Sequence, residues 1–191
     1  MIEEKKLTYN GDLFQLTSTI VFSEKKKSIR VFEKAHRPPG VRMLFTTGNK
    51  ILMSREYRSE LKDWDYRLPG GKVFDEFSSY AQYLSSEQEL SRKIKEAVVN
   101  ESEQEVGLIT TTDKMNLIYK SVAGASVIWD LYYFEITEFQ QNQKGQMLEE
   151  GEQIDKPIWM TFEEVQDMCL SGKINEDRTV AVLLRYILNK R

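Results

Sequence analysis

Short apolar runs separated by turn formers fill the first third of the chain. Residues 18–22, 28–32, 41–45 and 50–53 are rich in β-branched and aromatic side chains, which predicts strands. Pro38-Pro39-Gly40 and Thr47-Gly48-Asn49 mark the turns between them, and Lys25-Lys26-Lys27 reads as a solvated turn. The lone histidine, His36, reads as a surface-loop residue. After Leu68-Pro69-Gly70-Gly71 the period changes. Ser85 or Ser86 can cap a helix, with Gln88 or Glu89 three residues on as its capping-box partner, and Gly107 is placed to end that helix after Val106. Strands over 115–119, 127–134 and 158–160 follow. A helix opened by Thr161 with Glu164 and closed by Gly172 comes next, and a last helix covers 178–188. The order predicts an α/β fold of sheet and helices in layers.

Composition narrows the picture. With 191 residues, 40% hydrophobic and 30% charged, the chain suits one ordinary domain over 1–191, with N-terminal strands in 1–40 and C-terminal helices in 161–191. A net charge of −3 gives no general attraction to nucleic acid or to an anionic membrane surface. The single cysteine, Cys169, cannot form an internal disulfide and reads as a small core residue. No secretory leader or transmembrane run is visible, so a cytoplasmic location is expected, with no nucleic acid and no membrane as partner.

The chemistry lies in the segment from Ile94 to Leu108. On a helical wheel of about 100° per residue, Ala97, Val98, Glu101 and Glu105 all fall within about 60° of Ile94. Two carboxylates thus continue the apolar stripe that faces the protein body, while Glu103 points away. Like charges held inward repel and lose hydration, and a divalent cation would relieve both costs. Magnesium favours such oxygen ligands and normally bridges them to substrate phosphates.

These residues resemble the Nudix box, Gly-x5-Glu-x7-Arg-Glu-U-x-Glu-Glu-x-Gly-U with U an aliphatic residue. Gly71 matches the opening glycine, Glu101 the glutamate of Arg-Glu, Glu105 the second of the Glu-Glu pair, and Gly107-Leu108 the close. Asn100, Ser102 and Gln104 depart from the pattern. The stretch from Gly71 to Asn100 is about 15 residues longer than the pattern, which places an insertion over 74–86 with Tyr80 and Tyr83 on a short helix. Glu76 is the residue nearest in place to the early box glutamate. The run Arg55-Glu56-Tyr57-Arg58, then Trp64-Asp65-Tyr66-Arg67-Leu68-Pro69-Gly70-Gly71, is similar to the ADP-ribose pyrophosphatase branch of that superfamily.

The resemblance implies a Nudix-type α/β/α sandwich with a mixed β-sheet. It also implies divalent-metal-dependent hydrolysis of a diphosphate linkage in a small nucleotide substrate, ADP-ribose or a nucleoside diphosphate sugar. Mg²⁺ or Mn²⁺ would be held by Glu101, Glu105, Gln104 and the carbonyl of Gly70. Arg55 and Arg58 would grip phosphate, and Trp64 would stack on the base. A glutamate of the 146–152 loop would activate water, with Glu149, Glu150 and Glu152 as candidates and Glu150 placed in the catalytic set beside Glu101 and Glu105. That branch often forms dimers, so a homodimer is an open expectation. The alternative reading, favoured by Asn100 and Gln104, is a catalytically weakened nucleotide-binding or regulatory module.

Overall fold

A computed structural model describes residues 2–23 and 28–190, so the Lys25-Lys26-Lys27 turn lies outside the described residues. The chain opens with β1 (Ile2–Asn10), β2 (Gln15–Phe22) and β3 (Ser28–His36), an antiparallel sheet. It continues through β4 (Gly40–Thr47), β5 (Lys50–Arg58), β6 (Asp63–Arg67), α1 (Phe77–Ala81) and α2 (Glu87–Val106). The strands β7 (Leu108–Ile109), β8 (Met115–Ser121), β9 (Val127–Ile128), β10 (Leu131–Ile136), β11 (Gln140–Gln141) and β12 (Ile158–Thr161) follow, then α3 (Phe162–Leu170) and α4 (Asp177–Asn189).

The central sheet runs β12-β5-β4-β10-β8, with β6 paired to the outer part of β5. It is mixed: β10 is parallel to β4 and antiparallel to β8. Its alternation divides the core in two. Val41, Met43, Phe45, Leu52, Phe134 and Ile136 pack against Ile94, Ala97 and Val98 of α2. Leu44, Ile51, Met53, Leu131 and Tyr133 pack against Val165, Met168 and Cys169 of α3 and Val182, Leu183 and Ile187 of α4. Helices therefore cover both faces, and the architecture is the α/β/α sandwich with a mixed sheet that the sequence predicts. No helix among the described residues is long and apolar enough to cross a membrane.

Local signals set the ends of α2. The Ser86 hydroxyl accepts from the Glu89 amide, and Gly107 ends the helix in the left-handed region at φ 66°. At α3 the full box forms, with Thr161 and Glu164 each capping the other's backbone.

Three expectations change. The single strand expected over 127–134 is two strands, because the chain passes between sheets: β9 pairs with β3 in the first, β10 with β4 in the second. Trp129 and Asp130 make the crossing. Tyr83 lies in a turn after α1, and only Tyr80 is helical; both rings pack on Phe74, at 5.2 and 5.5 Å. His36 is no loop residue but the last residue of β3, half-buried, with Nε2 2.9 Å from the Thr17 hydroxyl.

Cys169 is buried in the α3 core, and burial pushes its thiol up to about 11. Because the thiolate is the reactive form, the native protein is expected to resist iodoacetamide at pH 8 and to react fully in denaturant. Mass spectrometry of the two samples checks this; rapid native labelling would contradict the burial.

Candidate active site

Where the sheet meets the N-terminal strands and the C-terminal half of α2, a cavity of about 500 Å³ opens. Its floor is the Gly70–Gly71 turn. Val41 donates its amide to the Gly71 carbonyl, and Met43 donates to the Pro69 carbonyl, so the turn is stitched alongside β4. Gly70 adopts φ 152°, and a Cβ there would run into the Val41 carbonyl. At Gly71 a Cβ would strike the Glu101 carboxylate, which therefore lies directly against the turn. Only glycine permits this approach.

Glu101 and Glu105 stand one turn apart on α2 and line the cavity with Asn100 and Gln104. Glu105 is 9% exposed, and one of its oxygens accepts the Gly70 amide at 2.7 Å. Burial, then the neighbouring Glu101, raises its carboxyl to about 8. Burial, then Glu152 and Glu149, raises Glu101 to about 7. The last turn of α2 carries no basic residue, so both carboxylates sit toward the negative end of the helix dipole with no cation on their own helix turn, and Arg42 offsets their charge only in part.

Ser102, where the box pattern has an aliphatic residue, is fully buried. Its hydroxyl is satisfied by the Val98 carbonyl at 2.6 Å and approaches the Met43 sulfur at 3.2 Å. Glu103, expected to point outward, is half-buried but does not line the cavity.

The donor set fits a hard divalent cation. It consists of two carboxylates and amide oxygens, with a depressed tendency to ionise that a cation would reverse. No three Asp, Glu, His or Cys side chains among the described residues converge as a ready-made cage. Water and substrate oxygens would therefore complete the shell, as magnesium prefers.

The remaining predicted residues divide. Arg58 lines the cavity and pairs with Glu56 and Glu60. Arg55 and Trp64 do not line it. They share the other face of the β5–β6 ribbon, where the Arg55 guanidinium lies 4.8 Å from the Trp64 ring and bonds Asp155 at 3.1 Å. The alternation of β5 separates the two arginines, since residues three apart face opposite sides. Of the loop glutamates, Glu149 and Glu152 line the cavity; Glu150 is exposed and does not.

The loop is clasped at both ends. Gln146 Nε2 donates to the carbonyls of Glu105 and Asp155, and the Met147 amide donates to the Gln104 carbonyl. At the far end Tyr57 donates to the Gln153 carbonyl, and Asp155 to the Arg55 carbonyl. Gln146→Ala leaves two carbonyls short of a donor, a loss of roughly 1–3 kcal/mol locally. Amide exchange over 147–153 is expected to quicken about tenfold or more, with the core strands unchanged. Equal exchange in the two proteins would show the clasp to be unimportant.

Residues that the sequence pattern did not single out complete the wall. Arg42, 8% exposed, forms an ion pair with Glu176 at 3.2 Å and donates Nη1 to the Val41 carbonyl. Arg67 joins Glu56 at 3.1 Å and reaches Glu176 at 3.9 Å. Arg37 and Trp129 form the corner beside Gly40.

No family profile and no curated protein sequence matches this chain. Solved structures do. A crystal structure described as an ADP compounds hydrolase superposes with a TM-score of 0.69, covering 98% of this chain and 90% of that one, at 16% identity. At that identity the likeness speaks to the fold, and the mixed α/β architecture of this chain is shared with that hydrolase.

Proposed function

We propose that this protein is a Nudix-type hydrolase that cleaves a diphosphate linkage in a nucleoside diphosphate derivative, such as ADP-ribose or a nucleoside diphosphate sugar, with Mg²⁺ or Mn²⁺. One observation carries the reading. Two inward carboxylates, raised to about 7 and about 8, share a cavity wall with a glycine turn that packs against Glu101 at Gly71 and donates the Gly70 amide to Glu105. A purely structural helix gains nothing from that arrangement.

Glu101 and Glu105, with the Gly70 carbonyl and the Gln104 amide oxygen, would hold the cation, which when bound neutralises phosphate charge and lowers the pKa of water. Arg58, on the cavity face of β5 and held by Glu56 and Glu60, would add positive charge beside the phosphates. Gly70 and Gly71 keep side chains out of the path of the diphosphate. Glu152 is the preferred base over Glu150: it lines the cavity, and its carboxylate is steadied by the Glu149 amide at 2.9 Å. In that role it removes the proton from the attacking water.

A nucleotide-binding module without turnover is the second reading, favoured by Gln104, which brings an oxygen to the wall but no charge. A panel of diphosphate compounds assayed for released monophosphate decides between them. Turnover with Mg²⁺ or Mn²⁺, abolished by excess chelator, is expected. Equal turnover in chelator, or binding with no turnover across the panel, would overturn the proposal.

A further inference from the structure

Every other cation on the cavity wall is already matched by a carboxylate. Arg42 pairs with Glu176, Arg58 with Glu56 and Glu60, Arg67 with Glu56, Lys72 with Asp75, and Lys93 with Glu96. Arg37 is different. It lines the cavity, yet among the described residues its guanidinium has aromatic rings and no hydrogen-bond acceptor or carboxylate as partners. It is nonetheless held in place. The guanidinium carbon sits 4.2 Å from the centre of the Trp129 ring and 5.7 Å from that of Phe14. Behind it, Arg178 lies 4.3 Å from the same Trp129 ring and donates Nη1 to the Trp129 carbonyl at 2.8 Å.

The backbone is fixed as well. The Arg37 amide donates to the Ile128 carbonyl at 2.9 Å, and the buried Pro38 and Pro39 follow. Pro39 accepts the Val73 amide, which ties this segment to the one leaving the Gly70–Gly71 turn. The corner therefore adjoins the carboxylate site without being part of it.

We propose that Arg37, stacked on Trp129, is a phosphate-gripping residue that takes the diphosphate of the ligand next to the Gly70–Gly71 turn. Resting on the reading of the cavity as a diphosphate site, this assigns the grip to a residue outside the box-like segment. An arginine presents five N–H donors in a planar fork suited to phosphate, and aromatic stacking leaves the fork edge free. A preorganised fork loses little side-chain entropy on binding. Burial, then Arg42, Arg178 and Arg58, lower the Arg37 pKa, so positive charge is concentrated here against its own repulsion. An arriving anion relieves that repulsion. A charged group with this surplus and no acceptor of its own is poised for an anion.

Calorimetric titration of the full chain with methylenediphosphonate in EDTA tests the assignment without metal or turnover. Wild type is expected to bind, and Arg37→Met to bind roughly ten- to a hundredfold more weakly, as for loss of charge-assisted hydrogen bonds. Arg37→Lys should recover part of the loss as a point charge without the fork. Trp129→Leu, which keeps the charge but removes its platform, should weaken binding less than Arg37→Met. Unchanged melting temperatures would place the defects in binding. Equal affinity of Arg37→Met and wild type would overturn the proposal, as would no binding to wild type. So would a loss of affinity for adenosine with that for diphosphonate kept, which would make Arg37 a base-stacking residue. The two readings separate cleanly. Arg37-dependent diphosphonate binding with no hydrolysis of any diphosphate leaves the grip standing and removes the hydrolase. Hydrolysis by Arg37→Met at unchanged KM does the reverse.

Discussion

Glu105→Gln is expected to cut diphosphate hydrolysis roughly a hundredfold or more while making the metal-free protein more stable at pH 8. The two effects have one cause. Glu105 is held against the protein body, 9% exposed, with only the Gly70 amide donating to it and Glu101 one turn away. Its carboxyl is raised by burial and by Glu101 to about 8, and that of Glu101 to about 7, against an ordinary value of 4.5. The folded state therefore binds more protons than the unfolded chain between those limits. Stability from these groups is fully present below about pH 4.5 and is lost as pH rises through 7 and 8.

Glutamine keeps the size and one oxygen but cannot ionise. The metal-free variant should thus melt higher than wild type at pH 8, by about 2–4 °C for each kcal/mol relieved, and alike near pH 4. With metal the order reverses, because wild type gains a ligand that the variant has lost. Glu103→Gln, outside the cavity, is the control. Thermal melts at both pH values with chelator and with Mn²⁺, beside rates under saturating Mg²⁺, decide the matter. Comparable rates for the two variants would show that this helix does not carry the chemistry.

How far this site could be read in advance depends on how local each signal is. The caps of α2 and α3 were legible because Ser86, Gly107, Thr161 and Glu164 act within one turn of themselves. The inward placement of Glu105 followed from helical period alone. Strand β1 was harder to see, since Glu3, Glu4, Lys5 and Lys6 carry charge where a half-buried strand would alternate, and all four are exposed. Strand β6 hid behind its resemblance to a motif lead-in. That likeness also drew Arg55 and Trp64 toward the substrate, whereas the pleat turns them to the opposite face from Arg58. The pairs that shape the rest of the wall are not local. Arg42 and Glu176 lie 134 positions apart, and Trp129 meets Arg37 only because the chain changes sheets there. No period or spacing encodes such meetings.

Arg42→Met is expected to destabilise the fold by about 3–5 kcal/mol, the usual cost of stranding one partner of a buried ion pair. In this size range that lowers the melting temperature by roughly 6–20 °C. Arg42 leaves β4 on the face that meets α4, and Glu176 is the residue that precedes that helix. Burial alone would raise the Glu176 carboxyl. Arg42, the Thr179 hydroxyl at 2.6 Å and Arg67 outweigh it and hold the group below its usual value. A lowered folded-state pKa contributes stability that is present above the unfolded value and lost as pH falls through the folded one. The deficit of Arg42→Met should therefore be largest at neutral pH and shrink in acid, where the stranded Glu176 of the variant takes up a proton and sheds its unpaired charge. Without Arg42, the positive charge that offsets Glu101 and Glu105 also goes, so both carboxyls should rise further. The double variant Arg42→Met/Glu176→Gln removes the stranded charge and should recover much of the loss, a coupling that two surface residues would not show. Urea melts of the four proteins at pH 7 and pH 4 measure it. Additive losses, or a deficit that does not change with pH, would mean that the pair does not fasten α4 to the sheet.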